Sequence, residues 1–204
     1  MILLEIFIAK IILAAVLTFA GSLWIDKLYS MSTELTFPEE ISSRARFRKP
    51  ILFVAFVFFS LLGDLWIMAA IFLLVLMTIT DFEQYMLFDA MTLPLALLGV
   101  FYVWQMNLDF YEHVMAALIG GGVFLLLAVI SKGALGGGDV KLIAALGLWL
   151  GAEKLLSVVL IGTIVGGLAA VLMILTKQKD RSSYFAYGPY FALTAIYFLL
   201  EKFL

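Results

Sequence analysis

The sequence predicts an all-α fold, a polytopic membrane helical bundle of about eight transmembrane helices, and three observations predict it. Hydrophobic residues make up 65% of the 204 residues and charged residues 14%, with a mean hydropathy of +1.13. A soluble domain is about half apolar and about one-quarter charged. The apolar residues also fall in long runs, and a helix needs roughly 20 of them to cross a bilayer. Finally, the basic residues cluster in alternate breaks between the runs, as the two sides of a membrane require.

The same composition excludes several function classes. A net charge of −2 gives no electrostatic case for nucleic acid, and no basic patch with interleaved aromatics occurs. There is no cysteine, which removes disulfides, thiolate metal sites and a Cys nucleophile together. His113, the single histidine, cannot build a His-rich metal site and is expected at a membrane boundary. No metal is expected.

The first span is predicted at 2–25. No Lys or Arg precedes it and it is long enough to cross, so it reads as a retained helix and not as a cleaved signal. Residues 26–49 read as a short cytoplasmic loop, too small for an independent domain. The next run, 51–80, is interrupted only by Gly63 and Asp64. As one straight helix it would be about 45 Å long, against a hydrocarbon core of about 30 Å. Two short helices with a turn at Gly63–Asp64 fit better. The acidic stretch "DFEQYMLFDAMTLP" follows, then spans at 93–106 and 113–130. "SKGALGGGDVK" interrupts again, before spans at 140–150, 155–176 and 184–200. No internal repeat is visible and the non-spanning pieces are short, so 1–204 reads as a single integral membrane domain.

Eight spans with the N-terminus outside place ten of the thirteen Lys and Arg residues on the inner side. Both polar interruptions, at 81–94 and 131–141, then face the cytoplasm. Asp81 directly follows one apolar run and Asp139 directly precedes another. Ionisable groups at membrane depth are costly and usually carry a function or a partner. Either acid taken alone reads equally well as structural, Asp139 as an N-cap and Asp81 as a helix stop. Glu83 and Asp89 read as loop acids, Asp64, Asp109, Glu112 and Glu153 as outer-loop residues, and Lys141 as an ordinary inner-surface lysine with the option of steadying a nearby acid.

These motifs resemble a family. "GGGDVK" matches the Gly-x-Gly-Asp motif of the intramembrane aspartyl peptidases, with Gly136, Gly138 and Asp139 in the motif positions. "DFEQYMLFDAMTLP" resembles the other signature of the type IV prepilin peptidases, in which an Asp ends one span and Leu-Pro-Asp follows. Asp81 takes the place of the first catalytic Asp, and Phe88 stands where the family usually has Pro, before Asp89. "GSLWIDKLY" resembles the family's Gly-Ser-Phe-x-Asn segment, with Ile25 in place of Asn, and "YGPYFALTAIY" resembles its closing Gly-Pro segment at Gly188 and Pro189. Many members carry a cytoplasmic domain with two Cys pairs after the first helix, which this sequence lacks.

The resemblance implies a membrane aspartic endopeptidase of the bacterial inner membrane that cleaves the short basic leader of a type IV prepilin or pseudopilin on the cytoplasmic side. Asp81 and Asp139 would be its catalytic pair, with Gly136, Gly138, Asp89 and Lys141 in support. No cofactor is implied. S-adenosylmethionine would enter only with methyl transfer, which Ile25 and the missing Cys pairs make doubtful.

Two carboxylates suffice for peptide hydrolysis without metal or thiol, one ionised to take a proton from water and one protonated to serve the scissile carbonyl. Glycines at 136–138 remove side chains from the path of an extended peptide. A helix beginning at Asp139 favours its ionised form, which suggests Asp139 as base and Asp81 as acid. The acids Asp81, Glu83 and Asp89, with no Lys or Arg from residue 81 to residue 131, are placed to attract a basic leader, although a solvated loop explains them equally. The rival reading from another class is a small proton- or cation-coupled transporter using the same acids, which expects them near the bilayer midplane. A non-enzymatic assembly protein would leave "GALGGGDVKL" without a specific use. The sequence assigns neither the pilin nor the oligomeric state.

Overall fold

The computed structural model describes residues 2–60, 64–131, 135–177 and 185–201, and these residues are helical apart from short connections. The main helices are α1 (Ile2–Met31), the short α2 (Ile41–Arg44), α3 (Arg48–Ser60), α4 (Leu65–Gln84), α5 (Asp89–Gln105), α6 (Phe110–Ile130), α7 (Gly137–Leu175) and α8 (Gly188–Leu200). Among the described residues no strand occurs, so the predicted all-α class holds. Among the described residues, four helices are long and apolar enough to cross a membrane: Phe7–Met31 within α1, then α4, α6 and α7. Lengths alone therefore account for four of the roughly eight expected spans.

The two expected breaks are present. Asp64 caps α4, its carboxylate accepting the Ile67 N–H at 2.9 Å, so it is a helix cap and not a plain outer-loop acid. Asp109 does the same for α6, accepting from Tyr111 and Glu112. α7 breaks at Gly151, whose φ of +70° and ψ of −176° belong to a region open essentially only to glycine. Its arms, 137–150 and 152–175, correspond to the sixth and seventh predicted spans. The predicted turn residue Gly63 and the expected start of the last span at 184 lie outside the described residues.

Two boundaries differ from expectation. α1 continues past Ile25 to Met31, because Asp26 and Tyr29 find partners in Arg48 and Glu83 and need not face water as a loop. α3 begins at Arg48, so the connection shrinks to 32–47, with a 3-10 turn at Pro38–Glu40, α2, and a second turn at Ala45–Phe47.

α4 is the most enclosed span. Two-thirds of its apolar stretch (67%) is buried, against 17–28% for the other three, and it packs against α1, α3, α5 and α8. Ile67, Ile71, Leu74, Leu76 and Met77 on α4 join Leu142 and Ile143 on α7 and Phe191 on α8 in the core. The outer faces show the reverse. Leu125, Leu126, Ile164, Leu168 and Leu172 are all more than half exposed, a surface that lipid satisfies and water does not. In lipid, apolar burial gives helices little reason to associate, so close packing must. Gly147 illustrates it: a Cβ there would lie 2.5 Å from the backbone of Ala117, so only glycine lets α7 approach α6 this closely. The Trp149 indole N–H then ties α7 to α5 by donating to the Leu95 carbonyl at 2.7 Å.

Candidate active site

α4 does not stop at Asp81. It runs one more turn to Gln84 and ends on Tyr85, a left-handed cap (φ 54°, ψ 39°) whose N–H bonds the Asp81 carbonyl at 2.9 Å. Asp81 is thus a residue of the last helical turn, 6% exposed. Asp139 is not the N-cap of α7 either. Gly136 is, with extended backbone, and Asp139 is the third helical residue. Its carboxylate turns back toward the Gly136 N–H, the side-chain half of a capping box.

The fold brings the two acids together. Asp81, Asp139, Gly136, Gly137, Gly138, Tyr85, Met86 and Leu87 line one open cavity of about 230 Å³. Among the described residues, no other side chain hydrogen-bonds either carboxylate. The glycines divide their tasks. A Cβ at Gly138 would meet the Leu87 Cβ at 2.9 Å, so this glycine lets the α4–α5 turn rest on the start of α7. A Cβ at Gly137 would enter open space, and here the bare backbone leaves room for a ligand.

Gly188, noted in the sequence only as part of the closing Gly-Pro segment, has a definite place. It opens α8 with its N–H toward Asp81, and a Cβ there would sit 2.7 Å from Asp81 Oδ2. Each carboxylate therefore faces a helix N-terminus, Asp139 that of α7 and Asp81 that of α8. The two acids are alike in this respect, so the helix dipole does not select Asp139 as the base.

The supporting residues divide. Lys141 is not a plain surface lysine: its ammonium reaches both oxygens of Asp89, at 2.6 and 2.8 Å, and joins α5 to the first turn of α7. Both side chains are more than half exposed, 68% for Asp89 and 56% for Lys141. Glu83 is not a loop acid. It is buried at the end of α4 and bonded through both oxygens to the Arg48 guanidinium. Glu83 and Asp89 are thus each paired with a base of the same chain, Glu83 in the interior and Asp89 at the surface, and the suggested acidic attraction for a basic leader is weakened at two of its three charges. Sequence reading missed the Arg48–Glu83 pair. Its one signal is a base at the mouth of one apolar run and an acid at the end of the next. His113 lies near the other end of α6, buried, with Nδ1 3.0 Å from the Leu148 carbonyl. Among the described residues no three His, Asp or Glu side chains gather as a metal ion would need.

Two carboxylates in one cavity, beside a bare backbone, can pass protons between a water and a carbonyl provided that one is ionised and the other is not. Comparisons with known proteins point to a peptidase family. The model of the type IV leader peptidase family matches residues 67–171, just over half of the chain and inclusive of both acids. The chain is 34% identical over 129 residues to the prepilin leader peptidase/N-methyltransferase of Xanthomonas campestris pv. campestris, covering 59% of this chain and 44% of that protein. It is 36% identical over 126 residues to the protein of the same name from Neisseria gonorrhoeae, covering 57% and 41%. The corresponding Escherichia coli protein is 34% identical over 123 residues, covering 57% and 54%. The chain spans about half the length of the curated relatives it matches. No solved structure matches. With a family match over half its length, on the segment that carries both acids, the chain belongs to the type IV leader peptidase family.

Proposed function

We propose that this chain is a multi-pass membrane aspartic endopeptidase of the bacterial inner membrane. It removes the basic leader of a type IV prepilin or pseudopilin at the cytoplasmic face, with Asp81 and Asp139 as catalytic residues. One observation carries the reading: two acids far apart in sequence share a cavity with the glycine turn at 136–138. Both stand in terminal helical turns and not at mid-helix, which disfavours the transporter reading.

The chemistry follows from the pair. The ionised carboxylate takes a proton from water as the oxygen attacks the scissile carbonyl. The protonated carboxylic acid gives its proton to the carbonyl oxygen, so the tetrahedral intermediate is neutral. Collapse breaks the C–N bond: the leaving amine takes the pair's proton while one hydroxyl of the intermediate gives its proton to the carboxylates as the C=O bond re-forms, so the pair again holds one shared proton. Activity therefore falls at low pH, where both groups hold protons, and at high pH, where neither does. A pH profile of kcat that rises or falls monotonically, without a maximum, overturns the shared-proton mechanism.

Methyl transfer is left out of the reading. Ile25, where the resembling segment has a polar Asn, is fully buried in the core and offers no polar group. The deciding experiment incubates the detergent-purified chain with a prepilin. Leader removal by the wild type and none by Asp139→Asn is the expected result, and an intact prepilin in both overturns it. Mass spectrometry of the product, with S-adenosylmethionine present, is expected to show an unmethylated N-terminus.

A further inference from the structure

Asp81 stands two residues before Glu83, yet the two acids face opposite ways. Asp81 faces the cavity. Glu83 faces α1 and α3 and is held there by Arg48, Tyr29 and Arg44. The Arg48 guanidinium donates through Nε to Glu83 Oε1 at 2.9 Å and through Nη2 to Oε2 at 2.6 Å. The Tyr29 hydroxyl donates to Oε2 at 3.0 Å, and Arg44 Nη1 donates to the Glu83 carbonyl at 3.2 Å. That carbonyl is one of the last four of α4, which have no partner within the helix.

The next two residues are gripped as well. The Gln84 side chain bridges the backbone of Phe37, accepting its N–H at 2.8 Å and donating to its carbonyl at 3.1 Å. The Phe37 ring meets the Tyr85 ring edge-on at 5.4 Å, and the Arg44 guanidinium covers Phe37 at 3.6 Å. Tyr85 is a wall of the catalytic cavity. Residues 83, 84 and 85 are therefore each held by the connection between α1 and α3, immediately after Asp81.

Stability does not explain this arrangement. Arg48 and Glu83 are 3% and 5% exposed. A buried ion pair loses several kcal/mol of solvation per ion, and well-packed apolar residues in its place are often as stable or more so. What such a pair supplies is geometry. It fixes the rotation and tilt of a helix end that would otherwise fray, at the point where a shift of about 1 Å costs on the order of 100-fold in rate.

We propose that segment 32–48 is a strap that positions Asp81 against Asp139, with Arg48, Glu83 and Gln84 as positioning residues. The inference rests on the peptidase reading for its effect on rate, but not for its geometry.

The test uses the full detergent-purified chain. Arg48→Met with Glu83→Met removes both charges at once, so neither is left buried and unpaired. Gln84→Met removes only the bridge to Phe37. Each variant is expected to melt within a few degrees of the wild type, with kcat for leader cleavage lower by about 10- to 100-fold and KM within about threefold. Arg48→Lys, which keeps the charge but not the two-point grip, should fall between. The chain has no cysteine, so a single Met86→Cys on the cavity wall reports the geometry through its maleimide labelling rate. That rate should rise several-fold in the Met/Met background. A folded Met/Met variant that labels like its parent overturns the strap, whatever its activity. Faster labelling with wild-type kcat overturns the positioning role. If the wild type cleaves no prepilin, the peptidase reading fails, and the labelling alone then decides the strap.

Discussion

The first arm of α7 has glycine at each end, Gly136–Gly138 where it starts and Gly151 where it breaks, and each end meets carboxylates. At Gly151 the carboxylate is Glu112. It accepts the Ala152 N–H at 2.6 Å, closing the exposed start of the second arm, and lies 3.5 Å from His113 Nε2. At Gly136–Gly138 the carboxylates are Asp81 and Asp139, which face a shared cavity with no side-chain partner among the described residues. The ingredients match: glycine, a helix N-terminus and an acid. All three accept from backbone, but Glu112 also has the His113 ring beside it, whereas Asp81 and Asp139 have no side-chain hydrogen-bond partner among the described residues. What sets the two aspartates apart from Glu112 is the cavity that they share with each other.

The strongest test of that contrast removes the aspartates' ability to titrate. Asp81→Asn and Asp139→Asn should each lower leader cleavage by more than about 1,000-fold, since an amide replaces neither base nor acid. Both should insert and accumulate, because an amide is close in size and costs less to bury than a charge. The double variant should be little worse than either single one, as groups acting as a unit are not additive. Near-normal cleavage by either single variant would remove that residue from the pair.

The glycines should separate the two regions by the quantity that each affects. Gly188→Ala puts a methyl group 2.7 Å from Asp81 Oδ2 and must displace the carboxylate. Cleavage should fall about 10- to 100-fold with the melting temperature almost unchanged. Gly151→Ala forces a Cβ into a φ of +70° and within 2.6 Å of Glu112. That should cost about 1–3 kcal/mol of stability, seen as a lower melting temperature, with normal kcat in the surviving folded fraction. If Gly151→Ala instead impairs kcat at full stability, the break is coupled to the chemistry and the contrast fails.

Sequence alone showed much of this arrangement, and the reasons for its failures are physical. The break at Gly63–Asp64 was legible because a bilayer limits helix length, so an over-long apolar run must turn; the break at Gly151 falls in the gap left between the spans at 140–150 and 155–176, but the glycine itself was not singled out. The pairing of Asp81 with Asp139 was legible because both acids border apolar runs on one inferred side. The Arg48–Glu83 pair was not. Its members lie 35 positions apart, and each looks like an ordinary charge at a membrane boundary until the helices are packed. The extension of α1 was missed for the same reason, since Asp26 and Tyr29 read as loop residues unless their buried partners are known. Gly188 was noticed without a role, because only the folded chain sets it against Asp81.

Asp89 offers the finest division. Like Glu112, it ties a carboxylate to an arm of α7, through Lys141, and like Asp81 it lies near the cavity. Yet it stands in solvent-facing surroundings, 68% exposed, with its partner 56% exposed. An exposed pair of this kind contributes about 0–1 kcal/mol, and salt weakens it further. Lys141 follows Asp139 by two positions, so the two side chains leave the helix on different faces and the pair does not press on the Asp139 carboxylate. Asp89→Asn should therefore keep cleavage within about threefold of wild type, and raising the ionic strength should narrow the difference. A loss as deep as that of Asp81→Asn would mean that Asp89 touches the substrate, and that this exposed ion pair belongs to the catalytic group and not to the scaffold.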